Sequence, residues 1–374
     1  RSAAAGSRLS TQGNTGLNNQ GSREAANNFL LDGVDNNDLF LNRLVVNPSL
    51  DAVKEVSVLQ ATYDAEHGRS AGAQVNVIVK SGTRDLRGAA YEYFRDEAFD
   101  ARPAFLPDGT DKPALSKHQF GGSLGGPFGR SASFWFVNVE AIQAREADTR
   151  LARVPTAAER AGDFSAIGRP IVDPFTQRPF PGNVIPASRM SAAGQAVAAL
   201  YPQANREGGS ANYVSTPEGE RDALQFTIKT DHHGWRDTPF HLRYTFGRED
   251  RALPFPARAR NLPGFGTSVL DEGHNFAAGF NRSLSSRVVN ELRIGVNALQ
   301  RDSVPTNAGT DAFSALGITG PSLTAVDQGY PTFVVSGYES LGDDPNLPVL
   351  RSTRTIHLAD TLTVQAGRHN LKAG

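Results

Sequence analysis

Phe240-His241-Leu242-Arg243-Tyr244-Thr245-Phe246-Gly247 sets Phe240, Leu242, Tyr244 and Phe246 against His241, Arg243, Thr245 and Gly247 at a period of two. A strand turns successive side chains to opposite faces, so this segment reads as a strand with one apolar and one polar face. Leu224, Phe226 and Ile228 against Gln225, Thr227 and Lys229 repeat the pattern, as do Leu292, Ile294, Val296 and Ala298 against Glu291, Arg293, Gly295 and Asn297. Phe276, Ala278 and Phe280 against Asn275, Ala277, Gly279 and Asn281 follow more loosely. So do Ile356, Leu358, Leu362 and Val364 against His357, Ala359, Thr361 and Thr363, where Asp360 falls on the apolar phase and the sequence offers no account of it. With segments 86–97, 117–128, 133–145 and a stub from His369, about nine strands are expected, each with the weak alternation of a transmembrane barrel.

The connections sort by parity. Long ones near 98–116, 146–221, 249–272 and 303–353 alternate with short ones at Gly129-Arg130-Ser131, around Gly234-Trp235-Arg236-Asp237, at Ser285-Ser286-Arg287 and at Ala366-Gly367-Arg368. Outer-membrane barrels produce this rhythm, with short periplasmic turns and long outer loops; a soluble sandwich has no reason to. About nine strands leave two unpaired edges, which lipid does not tolerate, so the chain is expected to be a piece of a longer barrel.

Composition fits. The 374 residues hold 38 Lys+Arg against 39 Asp+Glu with no run of like charge, so nucleic acid is not an expected partner. There is no Cys, which removes disulfides, thiolate metal sites and Cys nucleophiles and suits export through an oxidising periplasm. A mean hydropathy of -0.37 with 37 Gly and 22 Pro is low for membrane helices, but only alternate barrel residues face lipid. The chain opens on Arg1 with no basic-then-apolar leader, so any signal peptide is expected upstream.

Ahead of the alternating region, residues 1–28 are rich in Asn, Gly and Ser and show no period. Short β signals follow at Phe29-Leu30-Leu31, closed by Asp32-Gly33, at 53–59, and at 74–80, closed by Ser81-Gly82, with a helical turn expected near 49–53. They predict a small mixed α/β domain over 1–84, followed by an incomplete antiparallel barrel over 85–374: a mostly β chain.

Phe29-Leu30-Leu31-Asp32-Gly33-Val34-Asp35-Asn36-Asn37-Asp38 and the run 48–82 resemble the plug of TonB-dependent outer-membrane receptors. The residues that carry the plug motif are Asp32, Gly33, Val34, Asn36, Gly68, Asn76, Lys80 and Gly82. Where common members have Tyr-Gly, this chain has His67-Gly68. That departure, with Gly88–Arg95 as GAAYEYFR, 119–127 as QFGGSLGGP and Val154-Pro155-Thr156, is similar to the Oar-like branch. The resemblance is dense over 14–167 and returns at 360–363 and 367–372. It implies a plugged barrel of about 22 strands in a Gram-negative outer membrane. It also implies a TonB-type energising complex reached through a segment upstream of Arg1, a carboxypeptidase-regulatory-like domain upstream, and import of a small or oligomeric extracellular ligand. A barrel that adheres or assembles surface structures without transport is the alternative, and a soluble secreted β-protein a third.

No residue pattern carries catalysis or a cofactor. Gly121-Gly122-Ser123-Leu124-Gly125 matches G-x-S-x-G, but Gly126-Pro127 follows where a nucleophile elbow needs a helix. His232 and His233 point to opposite faces of a strand and do not share a metal easily. Asp32, Asp35, Asn36, Asn37 and Asp38 lack the spacing of a calcium loop and read as Asx turns. Glu291, Arg293, His241 and Arg243 lie on the lumen phase, to grip the plug or to line a solvated wall, and Trp135 and Trp235 sit beside short turns as an interfacial girdle. The proline-rich loop 146–221 restricts regular pairing; its Phe164, Phe175, Phe180, Tyr201 and Tyr213 either meet a ligand outside the cell or pack the loop on itself.

Overall fold

A computed structural model describes residues 26–40, 42–60, 63–64, 66–68, 70–107, 109–129, 132–233, 238–256 and 262–374. The irregular start expected for 1–28 lies outside them up to residue 25, as do Arg130, Ser131 and the turn 234–237 with Trp235.

The N-terminal part is a mixed sheet in the order β2-β1-β6-β5, built from β1 (Asn28–Leu31), β2 (Val34–Asp35), β5 (Val53–Leu59) and β6 (Gln74–Val79), with a ribbon of β3 (Asn37–Asp38) and β4 (Arg43–Leu44) beside it. β1 runs parallel to β6, and the other pairs are antiparallel. Asp32 and Gly33 join β1 to β2 at φ 49° and 77°, the two positive angles that a two-residue hairpin of the I′ type requires. The expected helical turn is a single 3-10 turn, Leu50–Ala52. β2, β3 and β4 are two residues each, too short for a period to show in sequence.

The second part is one antiparallel meander of nine strands: β7 (Arg87–Asp96), β8 (Leu115–Pro127), β9 (Ser133–Ala147), β12 (Glu218–His232), β13 (Phe240–Leu253), β14 (Thr267–Ser285), β15 (Val288–Pro305), β16 (Val349–Ala366) and β17 (His369–Ala373). The sheet is open, with β7 and β17 at its edges. No helix among the described residues is long and apolar enough to cross a membrane. The strands' outer faces expose Leu224, Ile228, Leu242, Phe276, Val296, Ile356 and Leu358 while Thr227, Thr245, Asn275 and Asn297 are buried on the inner face. At the short-turn end, His232 stacks between Phe128 and Phe240, and Phe240 stacks on Phe280, forming an aromatic belt that Trp135 adjoins in β9.

Except for β7, which is confined to Arg87–Asp96, the strands run beyond the bounds the alternation suggests, and the long connections are 97–114, 148–217, 254–266 and 306–348. The added residues are charged on both faces and hide the period, yet they pair across strands, as in Arg248 with Glu272 at 3.2 Å and Arg251 with Asp271 at 2.7 Å. Asp360 also gains an account: on the outer face it accepts a hydrogen bond from Asn290 Nδ2 at 2.7 Å. Ser123 sits inside β8 with no helix after it, so no nucleophile elbow forms.

The loop 148–217 is more regular than its prolines suggest. β10 (Arg150–Ala152) pairs with β11 (Tyr213–Ser215), and α1 (Ala157–Arg160) and α2 (Ala192–Ala199) lie between them. α1 opens on a capping box of Thr156 and Glu159, and α3 (Ala312–Ala315) sits in the last long loop.

Candidate functional site

The N-terminal sheet sits on the inner face of the wall, and the contact centres on residues 32–38. The tight turn aims the Asp32 carboxylate between two strands: Oδ1 lies 3.1 Å from Lys229 Nζ and Oδ2 lies 3.0 Å from Arg243 Nε. The second contact is an ion pair without the angle of a hydrogen bond, since neither atom has a hydrogen-bond partner. Other bonds hold the group in place. Asp32 Oδ1 accepts Val79 N–H at 3.0 Å, Lys229 donates to the Val79 carbonyl at 3.1 Å, and Arg243 donates to the Leu31 carbonyl at 3.2 Å, Asn275 Oδ1 at 2.5 Å and Thr245 Oγ1 at 2.9 Å. The three side chains are 4%, 7% and 0% exposed, so each charge depends on the others for compensation.

The rest of the turn is held by amides. The Asp35 carbonyl accepts from Asn275 Nδ2 and Asn297 Nδ2, both at 3.0 Å, and its N–H meets His357 Nδ1 at 3.1 Å. Asp38 pairs with Arg351 at 3.0 Å, and Ser49 Oγ donates to Asn138 Oδ1 at 2.9 Å. A smaller apolar seam joins Leu31, Val45, Val46, Ala52 and Val79 to Phe136 and Leu299 of the wall.

Among the sequence candidates, Asp32, Gly33, Val34 and Asn36 come together here. Gly33 N–H donates to Asn76 Oδ1 at 3.1 Å, Val34 packs on Gly295, and Asn36 bridges to the Val46 carbonyl at 2.8 Å. Lys80 contributes its N–H to the Ala52 carbonyl at 2.8 Å, and Gly68 stands apart, accepting from Gln74 at 3.3 Å. The Asx reading holds, with Asp35 Oδ1 accepting Asn37 N–H at 2.8 Å and Asp38 Oδ1 accepting Phe40 N–H at 3.1 Å. Of the lumen-phase residues, Arg243 grips the turn, Arg293 covers Gly33 and pairs with Glu291 at 2.5 Å, and His241 lies against Gly279. Lys229 and His357 stood on the inner phase in sequence, but nothing there distinguished them as contacts.

Gly82 is fixed by proximity. A side chain there would strike the carbonyl oxygens of Trp135 and Gly126. Gly82→Ala is expected to cost about 1–3 kcal/mol from the forced backbone shift. The readout is the temperature at which the barrel band changes mobility in denaturing electrophoresis, and an unchanged temperature would contradict this packing.

The loop aromatics divide. Tyr201 is buried and Tyr213 half-buried in a cluster that joins three long loops through Ala152, Val154, Leu262, Phe265 and Leu341. Tyr201 Oη donates to the Glu339 carbonyl at 2.8 Å. Phe164 and Phe180 are half-buried, while Phe175 is 84% exposed with Arg189 over its ring at 4.9 Å. Burial, and then the charge of Glu339, push the Tyr201 phenol up to about 12. That value exceeds the unfolded one of about 10, so the contribution is intact below the unfolded value and lost as pH rises through the folded one. Protease resistance of the loops is therefore expected to fall between those pH values alongside a late phenolate signal, which Tyr201→Phe removes. An ordinary titration of every tyrosine would contradict this.

Among the described residues, no group of three or more His, Cys, Asp or Glu side chains is placed to hold a metal ion. A family model described as "Outer membrane beta barrel domain" matches residues 78–374. The chain is similar to the TonB-dependent transporter Oar of Myxococcus xanthus, at 25% identity over 142 residues, covering 37% of this chain and 13% of that one. Its fold is similar to that of the outer membrane transporter YddB of Escherichia coli, with a TM-score of 0.54 at 9% identity, covering 92% of this chain and 38% of that one. The chain thus spans well under half the length of either.

Proposed function

This chain belongs to the outer membrane β-barrel domain family, at home in the Gram-negative outer membrane, and from that premise we propose that it is the plug and first strands of a receptor that imports an extracellular ligand. In this reading residues 1–84 are the plug, 85–374 are barrel, and the long loops face outward to meet the ligand. A TonB-type complex pulls through a segment before Arg1. Similarity to Oar, a TonB-dependent transporter by name, supports the reading.

The observation that carries it is the chemistry of the contact between plug and wall. Asp32, Asp35 and Asp38 meet Lys229, Arg243, Asn275, Asn297 and Arg351 through charges and amides. When such a contact opens to water, its hydrogen bonds are replaced, so the net change per bond is about 0.5–1.5 kcal/mol. A permanently seated core gains more from apolar packing, because replacing buried ion pairs by hydrophobic side chains is often neutral or stabilising. A polar seat suits a plug that is released and reseated; an adhesin that keeps its barrel closed has no use for one. The test is uptake by cells carrying the full-length gene, compared with cells lacking the energising complex. Ligand accumulation that needs that complex supports import, and surface binding without accumulation supports the adhesin.

A further inference from the structure

Toward the long loops from Asp32, the inner faces of β12 to β15 carry a row of alternating charges. Arg221 pairs with Glu249 at 2.8 Å, Glu249 with Arg251 at 3.1 Å, Arg251 with Asp271 at 2.7 Å, and Asp271 with Arg301 at 2.6 Å. Arg351 of β16 continues the row through plug Asp38, and plug Arg43 faces it.

Between plug residues 43–47 and this row lies a cavity of about 280 Å³, where the guanidinium groups of Arg43, Arg248, Arg251 and Arg301 outnumber the carboxylates of Glu249 and Asp271. Space is left open at Gly247, where a side chain would meet nothing within 4 Å. Arg251 and Arg301 are 4% and 8% exposed and are held by Asp271, so little ordering is needed on binding. Burial, and then the charges of Arg301 and Arg351, lower the pKa of Arg43 more than Asp271 and Asp38 raise it; an arriving anion adds to the compensation those carboxylates give, in a medium of low dielectric.

We infer that this cavity is the subsite for an anionic group, a carboxylate or phosphate, of the ligand that the receptor binds. The inference rests on the ligand-binding reading above and adds the chemical class. The volume is below the 300–1,000 Å³ usual for a whole small-molecule site, so it takes one charged portion, about the size of a sugar acid.

The experiment is calorimetric titration of the full-length protein in detergent at constant ionic strength, with galacturonate, citrate, inorganic phosphate and neutral galactose as probes. At least one anion is expected to bind about tenfold or more tightly than galactose, as charge-assisted hydrogen bonds imply. A carboxylate preference over phosphate, or the reverse, identifies the group. Arg43→Gln, which removes one guanidinium, and Gly247→Leu, which fills the space without changing charge, are each expected to weaken that anion about tenfold or more while the melting temperature stays unchanged. Equal binding of anion and galactose, no anion binding at millimolar concentration, or unaltered binding in Gly247→Leu overturns the inference. Energised uptake is measured separately in cells: anion binding without uptake removes the import reading and leaves the subsite, while uptake without anion binding does the opposite.

Discussion

Joining Val34→Cys to Gly295→Cys by a disulfide is expected to abolish energised uptake, with reductant restoring it. Val34 opens β2 directly after the gripped turn, and a Cβ built on Gly295 lies 2.8 Å from Val34 Cβ. A disulfide prefers about 3.5–4.5 Å between these atoms, so a shift of roughly 1 Å in the turn accommodates it. These 374 residues contain no Cys, so none of their own thiols competes. If the plug must leave its seat for ligand to pass, a covalent tie between turn and wall stops import whatever the ligand is. The single variants control for the loss of Val34 and for crowding at Gly295. Full uptake with the bond formed would mean that this contact does not open.

The second large effect is on stability. Asp32→Ala leaves Lys229 and Arg243 buried without their carboxylate, and breaking a buried pair in this way costs about 3–5 kcal/mol. The plug is expected to become protease-sensitive near residues 28–35, with hydrogen exchange rising there first, while the barrel strands keep their protection. Replacing the whole group with Asp32→Asn, Lys229→Met and Arg243→Met is expected to recover most of the loss, because no stranded charge remains while Asn suits the positive φ of that position and keeps an acceptor for the Val79 N–H. The account further requires that this triple variant import poorly despite its stability, since its seat no longer exchanges readily with water. A triple variant that is both stable and fully active would separate the ion group from the transport step.

Much of the fold was legible because period and parity survive without tertiary information. β5 falls on 53–59 as its alternation suggests, and long and short connections alternate in the structure as in the sequence. Strand ends were not legible where Arg248, Glu249, Asp250 and Arg251 place charge on both faces, because their partners, two residues along β13 or across on Asp271 and Glu272 of β14, exist only once the strands are formed and paired. Asp360 looked misplaced for the same reason, its partner Asn290 lying on the neighbouring strand. For the candidate site, the turn Asp32-Gly33 stood out by its chemistry, and Arg243 by its lumen phase. The link between Asp32 and Lys229 spans 197 positions, and no local pattern announces it. Tyr201 and Phe175 looked alike as loop aromatics, and only packing separates the buried one from the exposed one.

The most direct test of a releasable plug is labelling of Val34→Cys in the full-length protein by a membrane-impermeant maleimide, in cells with and without an energised inner membrane and in the presence of ligand. Val34 is 1% exposed in its seat, so the account predicts protection in de-energised cells and labelling that rises when energy and ligand are both supplied. Equal labelling under the two conditions would contradict it.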